Sequence, residues 1–133
     1  MPFKILLALG LSTSIAHAAN WQSLITSKDG SIALFVDTTT TEADGALRWA
    51  SIRGVYAPST KMTASGKWID HEEIRYAFNC QTQQLRIEAM TFYYPDGTHE
   101  TALTRQAPSQ WITATPDSVG KLLIKPFCTR IRK

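Results

Sequence analysis

Trp68-Ile69-Asp70-His71-Glu72-Glu73-Ile74-Arg75-Tyr76-Ala77-Phe78-Asn79-Cys80 is the stretch that decides the fold. Trp68, Ile74, Tyr76, Phe78 and Cys80 fall at even positions, whereas His71, Glu73, Arg75 and Asn79 fall at odd ones. Alternation with period two is the pattern of a strand that buries one face and wets the other. The same period runs upstream. Trp21 to Ser27 reads as a strand that stops at the Lys28-Asp29-Gly30 turn, and Ser31 to Asp37 restarts with Ile32, Leu34 and Val36 on one face, so the two predict a hairpin. Ala46 to Tyr56 is a long strand, with Leu47, Trp49 and Val55 on one side and Ala50, Ile52 and Tyr56 on the other. The Thr38–Gly45 segment reads as a connection with one helical turn, and Pro58–Lys67 as the longest polar loop. Downstream, Gln84 to Tyr94 is rich in β-formers, Pro95-Asp96-Gly97 turns the chain, and Thr98 to Arg105 reads as an edge strand. The prediction is an antiparallel meander of about six strands.

The period changes near the C-terminus. Thr115-Pro116-Asp117 carries a hydroxyl N-cap, a proline suited to the first helical position and an acid near the positive end of the dipole. Val119, Leu122 and Leu123 then recur at helical spacing, Lys121 and Lys125 share the opposite side, and Pro126 is expected to end or kink the helix. A sheet plus one C-terminal helix makes an α+β fold.

Residues 1–18 read as a secretory signal peptide: Lys4 supplies the charge, Ile5 to Ile15 the short apolar stretch, and Ala16-His17-Ala18 the cleavage site, with Ala19 the rival position. The stretch is too short to span a bilayer, for which about 20 apolar residues are needed. No cysteine sits near the site, so a lipid-anchored form is not expected. Residues 19–133 then form one exported domain, periplasmic or secreted to the cell surface. In an oxidising compartment Cys80 and Cys128, the only cysteines, are most simply a disulfide; two buried free thiols, or thiol chemistry, are the alternatives. A bridge would close a loop of about 48 residues and pin the foot of the helix to the sheet.

The chain has 133 residues with a formal net charge of +3, too mild and too dispersed to mark a nucleic-acid binder. Motifs that carry chemistry have plainer readings. Ser118-Val119-Gly120-Lys121 matches S-x-x-K, but the companion motifs of acyl-enzymes are missing. His71-Glu72-Glu73-Ile74-Arg75 begins like H-E-x-x-H with Arg in place of the second histidine. Asp70 and Glu72 share a strand face without an evident pocket, and His99 follows a turn. These readings point to no catalytic residues, no metal site and no cofactor. Five basic residues, Lys121, Lys125, Arg130, Arg132 and Lys133, stand without an acid among them and can attract an anionic glycan or acidic protein patch. Trp49, Trp68, Tyr76, Tyr93, Tyr94 and Trp111 form either a recognition surface or part of the core.

Several pieces occur in a familiar order: Asn20-Trp21, Phe35-Val36-Asp37, Arg48-Trp49, Tyr76-Ala77-Phe78-Asn79-Cys80 and Thr91-Phe92-Tyr93-Tyr94. Trp111, the Pro116–Leu123 segment and Cys128 complete the set. It resembles the bacterial surface-adhesin protein E-like family from about Trp21 to Cys128. The resemblance implies a single curved antiparallel sheet whose C-terminal helix is held on the concave face by a Cys80–Cys128 bridge. It also implies a non-enzymatic, adhesin-like module for extracellular-matrix or serum proteins, able to form a homodimer. The alternative is a periplasmic accessory or inhibitor protein.

Overall fold

A computed structural model describes residues 18–129. The expected signal peptide up to His17, and the basic residues Arg130, Arg132 and Lys133, lie outside the described residues. The first hairpin forms as expected, β1 (Trp21–Thr26) pairing with β2 (Ile32–Asp37). After β3 (Glu42–Asp44) come three long strands and an edge strand: β4 (Leu47–Tyr56), β5 (His71–Asn79), β6 (Gln84–Tyr93) and β7 (His99–Leu103). A two-residue β8 (Ile112–Thr113) and the helix α1 (Val119–Cys128) complete the fold. The main sheet runs β1-β2-β4-β5-β6-β7 with every pairing antiparallel. This is the meander read from the period-two pattern.

The two short strands were not expected, and both have one cause. β2 pairs only with the Ile52–Tyr56 half of β4, which would leave backbone groups of Leu47–Trp49 bare on that side; β3 takes them. β7 pairs with β6 only from Met90 to Tyr93, and β8 takes Gln84 and Leu85 at the other end. Backbone donors and acceptors left unpaired beside a core are costly, so the connections are drawn into the sheet. The 38–45 connection therefore ends in a strand rather than a helical turn.

Directly paired residues share a sheet face. Ile52 opposite Ile74, Ala50 opposite Tyr76 and Phe78 opposite Leu85 place the apolar sets of β4, β5 and β6 together. The helix closes this face: Val36, Ala50, Ile52, Phe78 and Leu85 form one buried cluster with Leu123 and Ile124. Phe78, with no exposed surface, stacks on Phe127 at 5.0 Å between centroids. The Cys80–Cys128 disulfide ties the last helical residue to the end of β5, with Cα atoms 5.4 Å apart.

The helix differs from expectation in start, phase and end. Pro116 and Asp117 lie in a turn closed by Ser118 N–H onto the Thr115 carbonyl, with Asp117 left-handed at φ 65°. The N-cap is consequently Ser118, whose hydroxyl accepts from Lys121 N–H at 3.1 Å, and not Thr115. Cys128 sets the rotation, because Ile124 and Gly120 lie one and two turns behind it on the same side. Leu123 and Ile124 are thus buried, while Val119 and Leu122 remain 57% and 52% exposed. Gly120 lets the helix lie close to β6, since a Cβ there would meet Leu85 Cδ2 at 2.8 Å. Pro126 neither ends the helix nor removes a needed bond: the carbonyl it leaves unmatched belongs to exposed Leu122, and Thr129 N–H still reaches the Lys125 carbonyl at 3.1 Å. Among the described residues no helix is long and apolar enough to cross a membrane.

Candidate functional site

One sheet face lies under the helix; the other carries the odd-numbered side chains of β5. His71, Glu73, Arg75 and Ala77 sit opposite Val55, Arg53, Ser51 and Trp49 of β4. On the β6 side they face Tyr93, Thr91, Ala89 and Arg86. Of the residues expected on a wet face, His71 and Glu73 are half-buried there and Arg75 is buried, so the expectation holds only in part; the face itself is continuous across the three central strands.

This face is built from planar groups in contact. At one end His71 stacks on Tyr93, with centroids 4.3 Å apart and planes 6° from parallel, and Tyr93 leans on His99 at 5.7 Å. The His71 Nδ1 contacts Asp70 Oδ2 at 2.7 Å. In the middle, Arg53 Nη2 donates to Glu73 Oε2 at 2.7 Å while its guanidinium lies 4.3 Å from the Trp21 ring centroid. At the far end Trp49 Nε1 and Arg86 Nη2 both donate to Glu88 Oε2, and the Arg86 guanidinium covers the Trp111 ring at 4.9 Å.

Arg75 organises the centre. Its side chain is only 8% exposed, and it donates to the Thr40 carbonyl at 2.7 Å, to Ser51 Oγ at 3.1 Å and to the carboxylate of exposed Glu42. Shallow hollows of about 350 and 370 Å³ adjoin it, sharing Ser51, Arg75 and Arg105 in their walls. Arg105 makes no ion pair among the described residues. Asp37 lies at the edge of the smaller hollow. Burial pushes its carboxyl up, but hydrogen bonds from Thr39 Oγ1, Asn20 N–H and Thr39 N–H outweigh burial and hold it below the usual carboxylate range.

The remaining sequence candidates separate. Ser118 uses its hydroxyl to cap the helix and to donate to the Thr115 carbonyl at 2.7 Å, which leaves the S-x-x-K match a capping motif. His71 and Glu72 point to opposite sheet faces, and among the described residues no three His, Cys, Asp or Glu side chains converge on a metal position. Asp70 bonds to His71 on the surface, whereas Glu72 is buried beneath the helix face, so the two carboxylates do not meet. Lys121 and Lys125 are exposed on the helix, on the opposite side of the sheet from Arg75. Of the aromatics, Tyr76 and Tyr94 pack into the two core clusters, Trp68 stands half exposed beside Tyr94, and Trp49, Tyr93 and Trp111 belong to the open face. Trp21, Arg53 and Arg105 were missed. The odd phase that Arg53 shares with Trp49 marks it as outward-facing, but only the pairing of β1 with β2 brings Trp21 over it.

The model of the surface-adhesin protein E family matches residues 21–129. Among solved structures, crystal form II of Haemophilus influenzae protein E superposes with a TM-score of 0.55 at 12% identity, covering 80% of this chain and 86% of that one. The selenomethionine form of the same protein gives 0.55 at 11% identity, over 85% of this chain and 93% of that one. At such identities the likeness concerns the fold. No curated protein matches the sequence significantly.

Proposed function

This chain belongs to the surface-adhesin protein E family, and on that footing we propose that it is an exported, non-enzymatic binding module that recognises acidic glycans through the open face of its sheet. The observation that carries the proposal is the one-sided placement of the helix. Among the described residues it leaves a polar and aromatic face uncovered, with the Arg105 guanidinium, free of ion pairs there, beside a hollow that Arg75 also lines. A sugar carboxylate or sulfate is the chemistry that a guanidinium fork recognises. The Trp21 ring at the rim of the same hollow provides a flat apolar surface for a sugar ring.

The test is binding of the mature protein to immobilised sulfated and uronic-acid glycans, with neutral glycans of equal length as controls. Arg105→Ala should weaken binding to the acidic set by about tenfold, the loss of one charge-assisted hydrogen bond, and raised salt should weaken it further. A chain cut after Cys128 should bind as the full chain does. If the cut or a Lys121→Ala/Lys125→Ala variant abolishes binding while Arg105→Ala does not, recognition belongs to the basic tail. Protease shaving of intact cells reports location: loss of the protein supports display at the surface, and protection until the outer membrane is opened makes it a periplasmic accessory protein.

A further inference from the structure

Beneath the helix lies a second, differently built cavity. It measures about 390 Å³, within the range of small-molecule sites, which run from about 300 to 1,000 Å³. Its walls are apolar: Ile32, Leu34, Ile52 and Ile74 from the sheet, Val119 and Leu123 from the helix. At one end stand Tyr56, Lys61 and Glu72. Of the lining residues, Val119 in the first helical turn is 57% exposed and the Lys61 side chain 44%.

The polar end is odd for a core. Glu72, only 4% exposed, occupies the β5 phase otherwise held by Ile74, Tyr76 and Phe78. A buried ion pair holds a fold together no better than well-packed apolar residues of the same volume, so packing alone does not account for a carboxylate there. Gly54 keeps the place open: a Cβ on this β4 residue would lie 3.2 Å from Tyr56 Oη and 3.5 Å from Glu72 Cγ. Burial, followed by the hydrogen bond to Glu72, pushes the Tyr56 hydroxyl well above its ordinary pKa, which keeps it a donor.

The hydrogen-bond inventory selects a ligand. Glu72 Oε2 accepts from Tyr56 Oη at 2.7 Å and from Lys61 Nζ at 3.3 Å, whereas Oε1 accepts only from Lys61, at 3.0 Å. The Lys61 ammonium is directed at Glu72 and at Tyr56 Oη, the latter at 3.2 Å. Among the described residues Oε1 has a single partner and so keeps an acceptor site, whereas the three Lys61 N–H groups already have three acceptors, Oε1, Oε2 and Tyr56 Oη, within reach. The Lys61–Glu72 pair is neutral in sum, so neither an incoming ammonium nor a carboxylate finds an unbalanced counter-charge there to offset its desolvation. We propose that this cavity binds an uncharged amphiphile, an aliphatic alcohol whose chain lies against the isoleucines and whose hydroxyl donates to Glu72 Oε1.

The probes are 1-octanol, octanoate and octylamine, which share one chain and differ only in head group. Each is titrated into the mature protein below its micelle or solubility limit while the methyl resonances of Ile32, Leu34, Ile52 and Leu123 are followed by NMR. Octanol should produce saturable shifts at one site, with both charged probes at least about tenfold weaker, as expected for one charge-assisted hydrogen bond. Val119→Trp, at an exposed lining position, should crowd the cavity and abolish the shifts. Glu72→Gln should reduce the preference for alcohol over carboxylate, because an amide donates as well as accepts. Absence of saturable shifts would overturn the proposal. So would equal response to the three probes, or unchanged binding in Val119→Trp, either of which means partition onto apolar surface.

Discussion

Replacing both cysteines, Cys80→Ser with Cys128→Ser, tests how the helix is kept on the sheet. The bridge joins residues 48 apart in sequence. Constraining a loop of that length in the unfolded chain is worth about 4 kcal/mol in the chain-entropy account. Small domains have a total stability of about 5–15 kcal/mol, so the bridge is a large share of it. The helix has little independent support. It is ten residues long, and isolated helices shorter than about 12–15 residues are marginal in water. Its buried anchors are Leu123 and Ile124, with Phe127 over Phe78. Urea unfolding of the oxidised protein and the double variant should be followed by tryptophan fluorescence and far-ultraviolet circular dichroism. With a slope of about 1–2 kcal/mol/M, the midpoint should fall by about 2–4 M, with coincident transitions and an unchanged slope. A helix that detaches first would instead separate the two probes and expose the Phe78 face before the sheet melts. A loss of stability below about 1 kcal/mol, with the slope unchanged, would refute the reasoning from unfolded-chain entropy.

Phe78→Ala removes a ring with no exposed surface between the sheet and Phe127, and should cost about 3–5 kcal/mol in the same urea assay. Ser118→Ala deletes the side-chain acceptor for Lys121 N–H and should cost about 1 kcal/mol, read as faster amide exchange in the first turn of α1. Asp37 has its folded pKa below the ordinary value of 3.8, so its contribution is complete above that value and is lost as pH falls through the lower folded one. Asp37→Asn should therefore lower stability at pH 7 and flatten the acid side of a pH series of urea midpoints; an unchanged acid slope would assign that slope to other carboxylates. Arg105→Ala, lacking an ion pair among the described residues, should leave stability within about 0.5 kcal/mol of the parent.

Much of this fold is local information. Alternation at period two locates the long strands because each residue's side of the pleat depends only on its parity, and Ile74, Tyr76 and Phe78 keep theirs regardless of what lies opposite. The same parity places Glu72 on the apolar face, a legible sign that a carboxylate is held inside. The two cysteines, in a chain read as exported, supply the one long-range tie. The boundaries were less legible where non-local backbone demand prevailed. β3 and β8 form because their neighbours leave parts of β4 and β6 unpaired; Glu42–Asp44 is poor in strand formers, and Ile112–Thr113, though both are strand formers, is too short a run to announce it. The helix phase followed Cys128 rather than the Val119-Leu122-Leu123 pattern, because a covalent tether at one end outweighs a modest apolar stripe.

By itself, then, the amino-acid order determined the strand faces, the helix that follows them and the cysteine pair, since each depends on parity, spacing or composition within one segment. Tertiary structure alone decided the sites. Trp21 reaches Arg53 across β2, Arg105 reaches the hollow beside Arg75 from beyond the β7 edge, and Lys61 returns from a loop to a glutamate eleven residues on. Those meetings depend on register and on loop paths, which are set by the sum of many pairings and are written in no single stretch of the chain.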